Sequence, residues 1–193
     1  RYGPARMPLD PPLDATPEEI RRGLLPLRNG LSVAVLAAGN PFAIGAIIRV
    51  AHSFLVKEII LVGTEPHYEK ASMGMHRLEN VVRLADDRAF FDRVGGRPIW
   101  AFEREFARTS LDSVTEYPED VVLLFGSERF GIAPEVIARC DQVLAIPLYG
   151  VNNSLPVTVA VGIALSSWAR VRYAPGTIVS AASASARADI AAK

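Results

Sequence analysis

The chain has 193 residues, half of them hydrophobic, which suffices for one compact domain with a large core. Its 21 basic and 21 acidic residues give a formal net charge of zero, which argues against a protein held on nucleic acid mainly by bulk charge. The single cysteine, Cys140, excludes an internal disulfide and fits a reducing compartment, and residues 1–14 contain no apolar stretch typical of a signal peptide. We therefore expect a cytoplasmic protein and, because the chain begins with arginine, a fragment or a processed form.

The chain is predicted to divide into three segments. Residues 1–28 form an N-terminal extension that is rich in proline and then contains one short helix, whose capping box runs from Thr16 to Glu19. Residues 29–173 form the folded domain. Residues 174–193 form an Ala/Ser-rich tail with little periodicity.

Short, continuous apolar runs alternate with helical patterns in the central segment. Such runs are typical of parallel strands that are buried on both faces. Their alternation with helices predicts an α/β fold, with a mainly parallel sheet flanked by helices. The predicted strands are 31–37, 58–62, 81–84, 98–102, 121–125 and 143–146, and the predicted helices are 42–54, 86–94, 134–139 and 157–168.

Two of these helices have informative faces. The helix over 157–168 is apolar on nearly every side, so we expect it to be buried, and it is too short to cross a bilayer. In the helix over 42–54, Arg49 projects away from the apolar face. That face consists of Ile44, Ile47, Ile48, Ala51 and Leu55.

Common nucleotide, nucleophile and metal signatures are absent. No G-x-G-x-x-G follows the first strand, and the glycines of 126–131 are not followed by the Lys and Ser/Thr of a P-loop. No G-x-S-x-G elbow is present. His52, His67 and His76 lack metal-ligand spacing, so we expect no metal site, and Cys140 is predicted to be a packed core thiol.

Three stretches stand out in the central segment. Residues 40–49 read NPFAIGAIIR, residues 125–132 read FGSERFGI, and residues 146–157 run from IPLYG to SLPV. In this order they resemble the motifs of the SpoU (TrmH-like) RNA ribose methyltransferases of the SPOUT superfamily. Those motifs read roughly N-x4-G-x3-R, then (F/L)-G-x-E-x2-G-(L/I), then I-P-(M/L)-x-G followed by S-L-N-V. The resemblance covers about residues 31–172.

This resemblance implies a fold, an assembly and an activity. It implies a C-terminal trefoil knot, which is rare among folds, and a homodimer with the active site near the subunit interface. It implies that the second and third stretches bind S-adenosylmethionine in a bent form, and that a methyl group passes to a ribose 2′-oxygen of RNA. We expect tRNA rather than rRNA as the substrate and no membrane association. A catalytically silent RNA-binding or assembly protein of the same fold is the alternative.

The resemblance also assigns the cofactor site. Gly126, Gly131 and Gly150 lack a Cβ, so backbone can approach a flat adenine closely. Neighbouring apolar residues would supply the walls and the main-chain groups that meet the adenine edge. The expected cofactor-binding residues are Leu124, Phe125, Gly126, Ser127, Gly131, Ile146, Leu148, Gly150, Ser154 and Leu155.

Four residues are expected in the catalytic machinery. Arg49 matches the catalytic arginine of the family by position. A guanidinium stays protonated in proteins, so we interpret Arg49 as a clamp on the phosphate beside the target ribose rather than as a base. Asn40 either positions Arg49 or starts the helix, and Glu128 either pairs with Arg49 or holds a loop. Ser154 is expected to hydrogen-bond the substrate, to cap the last helix, or both.

One departure concerns substrate recognition. Pro156 stands where the family usually has asparagine; proline suits the first turn of a helix, but a side-chain amide is lost. Asn152 and Asn153 are the candidates to replace it, as substrate-binding residues. We expect some of the basic residues to line an RNA path, and solvated helix faces are the equal alternative; these residues are Arg21, Arg22, Arg28, Arg77, Arg83, Arg88, Arg93 and Arg97.

Overall fold

A computed structural model describes residues 14–36, 40–64 and 66–173 of the chain. Within these ranges, seven strands form one sheet with helices on both faces, so the predicted α/β class with a mainly parallel sheet is confirmed. The trefoil knot and the domain boundaries stay predictions, and both the Pro-rich start of the extension and the Ala/Ser-rich tail lie outside the described residues. The strands are β1 (Ser32–Leu36), β2 (Glu58–Val62), β3 (Val81–Leu84), β4 (Ile99–Phe102), β5 (Thr109–Ser110), β6 (Val122–Phe125) and β7 (Gln142–Ala145).

Five α-helices accompany the strands in the described part of the chain. Short 3-10 turns occur at Leu25–Leu27, Glu69–Ser72, Met75–Arg77 and Leu111–Ser113. The described helices include none that is long and apolar enough to cross a membrane. The α-helices are α1 (Pro17–Leu24), α2 (Pro41–Ser53), α3 (Asp87–Val94), α4 (Pro134–Ile137) and α5 (Val157–Arg172).

The strand order is β3-β2-β1-β6-β4-β7-β5, and every neighbouring pair is parallel. Because all strands point the same way, the loops that follow β4, β6 and β7 open at one edge of the sheet. The insertion of β6 between β1 and β4 therefore gathers loops that lie far apart in the chain.

Each face of the sheet is covered by its own hydrophobic layer. One layer packs α2 and α5 against the sheet and includes Ile47, Val161 and Trp168. The other packs α3 and α4 and includes Phe90 and Val136. Strands covered on both sides cannot alternate polar and apolar residues, which explains the continuous apolar runs in the sequence.

Local sequence chemistry sets the helix ends. The predicted capping box is present, since Glu19 N–H donates to Thr16 Oγ1 at 3.3 Å and Thr16 N–H donates to Glu19 Oε2 at 2.8 Å. Asp86 caps α3 by accepting from Ala89 N–H at 2.9 Å. Gly95 ends that helix in the left-handed region at φ +59°, where glycine carries no Cβ penalty.

Two details of the sequence interpretation are wrong. The last helix is not buried on every side, because Val159 and Ile163 are 44% and 37% exposed along one stripe of α5. Hydrophobicity on all faces indicates that something covers the helix, but within one subunit only part of it is covered. Leu55 does not extend the apolar face of α2, since the helix ends at Ser53 and Leu55 takes a positive φ of 51°.

Three of the arginines expected along an RNA path are instead committed to ion pairs. Arg28 binds the fully buried Glu79 through two hydrogen bonds, at 2.6 and 3.0 Å. Arg93 and Arg97 bind Glu58, the first residue of β2, at 2.6 and 2.9 Å. These pairs neutralise carboxylates at the amino edge of the sheet, so these side chains are structural.

Candidate functional site

A cleft of about 230 Å³ opens at the carboxyl edge of the sheet, over β6, β4 and β7. This is the edge at which open α/β folds bind ligands, and the volume suits a small molecule rather than a macromolecule. Residues from the second and third stretches line it together with residues that follow β4. The lining residues are Phe102, Glu103, Arg104, Phe125, Gly126, Ser127, Glu128, Gly131, Leu144, Ile146, Leu148, Asn153, Ser154, Leu155, Val157 and Ala160.

The inner wall of the cleft is largely apolar. The rings of Phe102 and Phe125, at the ends of β4 and β6, stack with centroids 4.7 Å apart and planes 9° apart. Ile146, Leu148 and Leu155 also line the cleft. An apolar slot of this kind accommodates a planar heterocycle such as adenine.

The loop after β6 is a tight turn that only glycine permits. Ser127 and Gly131 exchange backbone hydrogen bonds at 3.2 and 3.0 Å, which folds the loop back on itself. A Cβ on Gly126 would lie 2.4 Å from the carbonyl carbon of Gly131. Gly131 itself has φ +63°, so both glycines are needed to keep this backbone against the cleft.

Glu128 ties all three stretches together. Its Oε2 accepts from the Asn40 side-chain amide at 2.7 Å, and its Oε1 accepts from the Val157 backbone N–H at 3.4 Å. The second contact satisfies one of the open N–H groups at the start of α5, where a carboxylate also complements the helix dipole. Asn40 is the N-cap of α2, since its Oδ1 accepts from Ala43 N–H at 3.1 Å.

Within one subunit, these contacts bear on the sequence alternatives for three residues. Glu128 holds a loop and a helix start and makes no ion pair with Arg49. Asn40 starts its helix and is bonded to Glu128. Ser154 does not cap α5, whose N-cap position is Pro156; its hydroxyl instead donates to Asn152 Oδ1 at 3.4 Å. The proline lacks a capping side chain, and Glu128 takes over that task.

Some predicted site residues lie outside the cleft lining. Leu124 is fully buried in the core, because successive side chains of β6 point to opposite faces and Phe125 occupies the position at the edge. Gly150 and Asn152 belong to the exposed loop beside the cleft. Arg49 is exposed on α2, nine residues after Asn40, which corresponds to about 14 Å along the helix axis.

The structure adds two charged residues that no motif indicated. Glu103 and Arg104 follow β4 directly and line the cleft, and Arg104 donates to Asn153 Oδ1 at 3.2 Å. In the sequence, the only local indication of this role was that the two charged residues directly follow an apolar strand. The sequence did not reveal that β4 lies next to β6 and β7, which brings the pair into the site.

Cys140 lies away from this cleft. Burial, with Asp141 as a lesser contribution, raises the pKa of its thiol to about 11. It is a poor nucleophile at neutral pH, in agreement with the packed thiol that the sequence predicts. Within the described ranges, no group of His, Cys, Asp and Glu side chains is arranged to hold a metal ion.

Comparison with known proteins identifies relatives over the same region. The sequence profile of the SpoU rRNA Methylase family matches residues 30–166. The 23S rRNA (guanosine-2′-O-)-methyltransferase of Coxiella burnetii is 29% identical over 141 residues, which is 70% of this chain and 56% of that protein. The tRNA (guanosine(18)-2′-O)-methyltransferase of Thermus thermophilus is 28% identical over 172 residues, 82% of each chain.

Among solved structures, the AdoMet-bound rRNA methyltransferase of Sinorhizobium meliloti superposes with a TM-score of 0.67 at 28% identity. The superposition covers 78% of this chain and 61% of that one. The chain thus spans less than two thirds of the length of the Coxiella and Sinorhizobium relatives. The profile match extends from the start of β1 through most of α5 and includes every loop that forms the cleft. This chain therefore belongs to the SpoU rRNA methylase family.

Proposed function

We propose that this chain is an S-adenosylmethionine-dependent methyltransferase that acts on a ribose 2′-oxygen of RNA. The observation that carries the proposal is the Glu128 bridge. One carboxylate bonds Asn40 at the start of α2 and Val157 at the start of α5, so the first motif stretch is attached to the cleft that the second and third stretches line. The methyltransferase relatives share the sequence region that forms this cleft.

The cleft fits the cofactor in shape and in charge. A Cβ on Gly126 would meet the Gly131 backbone at 2.4 Å, so the two glycines keep the loop tightly folded at the cleft, and apolar side chains complete the cleft wall. Glu103 and Glu128 provide carboxylates for hydroxyl and ammonium groups, and Arg104 provides a cation for a carboxylate. When bound, S-adenosylmethionine supplies a methyl group on a sulfonium centre. The chain must then align the acceptor oxygen and accommodate its proton.

Arg49 is proposed to stabilise the developing charge on the acceptor oxygen by holding the neighbouring phosphate. It lies about 14 Å along α2 from the cleft rim at Asn40 and does not line the cleft of its own subunit. We therefore propose a homodimer in which a second copy completes the site. Helix α5 packs against α2, and its exposed stripe of Val159 and Ile163 is an apolar surface suited to the contact between the two subunits.

RNA is the proposed substrate, and tRNA is the first candidate. The tRNA relative from Thermus matches 82% of each chain, whereas the 23S rRNA relative from Coxiella is matched over only 56% of its length. Tyr149, 93% exposed in the loop beside the cleft, offers a ring on which an unpaired base can stack. Asn153 and Ser154 line the cleft on the same side and are the proposed substrate contacts. We place the reaction in the cytoplasm, where an unpaired thiol such as Cys140 is stable.

A catalytically silent RNA-binding protein of the same fold is the second candidate. The specific observation that favours it is Pro156, which removes a side-chain amide at the rim of the cleft and leaves α5 without an N-cap side chain. Cofactor affinity separates the two candidates, because a silent scaffold has no use for a nucleoside site.

Methyl transfer tests the proposal directly. The chain is incubated with methyl-labelled S-adenosylmethionine and total RNA that lacks 2′-O-methylation, and the RNA is digested to nucleosides. A labelled 2′-O-methylnucleoside is expected and would identify the base. No label despite cofactor binding would favour a missing partner or an acceptor site lost at Pro156, and no label without cofactor binding would favour the silent scaffold.

A further inference from the structure

Glu103 is the one carboxylate of the cleft that belongs to none of the three motif stretches. It follows Phe102, the last residue of β4, and its backbone N–H donates to the Leu144 carbonyl at 3.2 Å. That bond continues the pairing of β4 with β7 by one residue. The sheet itself therefore fixes the backbone of Glu103, unlike the loops on either side of the cleft.

The side chain of Glu103 is directed onto the turn after β6, residues 126–131, which we call the glycine loop. Its Oε2 accepts from Ile132 N–H at 3.3 Å and lies 2.7 Å from the point at which Gly131 would carry a Cβ. Any residue larger than glycine at 131 would displace the carboxylate. The bare backbone of the loop and the carboxylate thus form one continuous wall of the cleft.

This carboxylate has acceptor capacity to spare. A carboxylate offers about four lone-pair positions, and among the described residues only the single, long bond from Ile132 is made to it. None of the described cations lies within ion-pair distance, and Arg104 next to it is bonded to Asn153. A half-buried carboxylate with so few partners is best satisfied by hydroxyl or amino donors from a ligand.

The position of Glu103 indicates which donors these are. The slot between Gly126 and the side chains of Leu148 and Leu155 suits the adenine ring. The ribose is covalently attached to that ring, so it must lie next to this slot. The two hydroxyls of a ribose match the two oxygens of a carboxylate, and acidic residues at the carboxyl edge of parallel sheets bind ribose in this way in other α/β folds. We propose that Glu103 binds the ribose hydroxyls of the adenosyl ligand in this cleft, an inference that rests on the proposed function.

Isothermal titration of the whole 193-residue chain tests this assignment. The two probes are S-adenosylhomocysteine, which carries no sulfonium charge, and its 2′,3′-dideoxyribose analogue. Wild-type protein is expected to bind the analogue about 10- to 100-fold more weakly, because hydrogen bonds to a charged acceptor are lost. Glu103→Gln removes the charge, and Glu103→Asp keeps the charge on a side chain that is one methylene shorter. In both variants, the ratio of the two dissociation constants is expected to fall to about threefold or less.

Glu105→Gln is the matched control, because it removes the same charge two residues away at an exposed position. It is expected to keep the wild-type ratio between the two probes. Thermal unfolding of each variant is measured alongside, so that a folding defect is recognised.

The outcomes separate this assignment from the proposed function. If both Glu103 variants keep the wild-type ratio of the two dissociation constants, even with both probes bound more weakly, the role of Glu103 is overturned while the cofactor site stands. If wild-type protein binds neither probe at millimolar concentration, the cofactor site and the role of Glu103 both fall. If wild-type protein binds both probes with equal affinity, the ribose hydroxyls contribute nothing to binding and the assignment is wrong.

Discussion

Gly126→Ala provides the sharpest test of the cleft geometry. The added Cβ would lie 2.4 Å from the Gly131 carbonyl carbon and 2.6 Å from its oxygen, whereas ordinary contact begins at 3.4 Å. The loop must therefore retreat by about 1 Å, and overpacking of this kind costs about 1–3 kcal/mol. Backbone, rather than the end of a flexible side chain, is what must move.

That cost is expected to appear in ligand affinity. If the loop relaxes away from the slot in the free protein, restoring the binding geometry requires the same free energy, which corresponds to about 5- to 150-fold in Kd. The assay is calorimetric titration with S-adenosylhomocysteine, accompanied by thermal unfolding. Gly150→Ala is the control, because its Cβ would meet nothing closer than Asn152 N at 4.0 Å.

Two results would refute this reasoning. An unchanged Kd in Gly126→Ala would mean that the turn at 126–131 does not form the ligand slot. Equal weakening by Gly150→Ala would mean that affinity depends on the general mobility of these loops rather than on the close approach of Gly126 to Gly131.

The remaining predictions concern four other features. Arg49→Ala is expected to slow methyl transfer about 100-fold in an RNA assay, while cofactor Kd stays within about twofold, because the side chain acts on the acceptor. Val161→Asp is expected to destabilise the fold in urea by about 3 kcal/mol or more, since it buries an unpaired charge. Glu79→Gln is expected to cost about 3 kcal/mol at neutral pH, because Arg28 loses its buried partner. Cys140 is expected to react with a thiol reagent at pH 8 about 100-fold more slowly in folded than in unfolded protein, because its pKa of about 11 leaves little thiolate.

The pH dependence of Glu79→Gln follows from the shift at Glu79. Burial alone would raise the pKa of this carboxyl, but hydrogen bonds and charge from His52 and Arg28 outweigh burial and lower it. A lowered folded pKa stabilises the protein above the ordinary pKa, near pH 4.5, and the benefit is lost as pH falls through the folded value. The stability difference between wild type and variant should therefore shrink below about pH 4.5. A difference that grows on acidification would contradict this account.

Controls distinguish the other three predictions from trivial causes. Val159→Asp places the same charge on the exposed stripe of α5, so it should leave the subunit folded and separate the proposed dimer in sedimentation equilibrium. A dimer that survives this change would show that the stripe is not the interface. An Arg49→Ala variant that stays active would show that the role is misassigned. Rapid labelling of Cys140 in folded protein would contradict its burial.

Most of the local structure follows from the sequence. Continuous apolar runs such as Glu58–Val62 require burial on both faces, and this alone favours strands within a parallel, helix-covered sheet. The Thr16 capping box and the Gly95 stop act within a few residues, so their outcome depends little on the rest of the chain. β5 escaped detection because two residues, Thr109 and Ser110, form no pattern.

The site was only partly predictable. The glycine loop and the apolar walls were identified because they form contiguous stretches. Glu103 was missed because its partner Ile132 is 29 residues away, and the isolated residue has no signature. The ion pairs of Arg28, Arg93 and Arg97 were missed for a similar reason, since sequence alone does not distinguish an arginine bound to a buried carboxylate from one facing solvent.

The sequence by itself determined which segments become strands and helices and which loops carry the motif residues, because periodicity and capping are local properties of the chain. Only the tertiary structure decided that β6 lies between β1 and β4, since an apolar run favours burial without choosing its neighbour. That choice brings Glu128 to Asn40, 88 residues away in the chain, and Glu103 to the wall of the cleft.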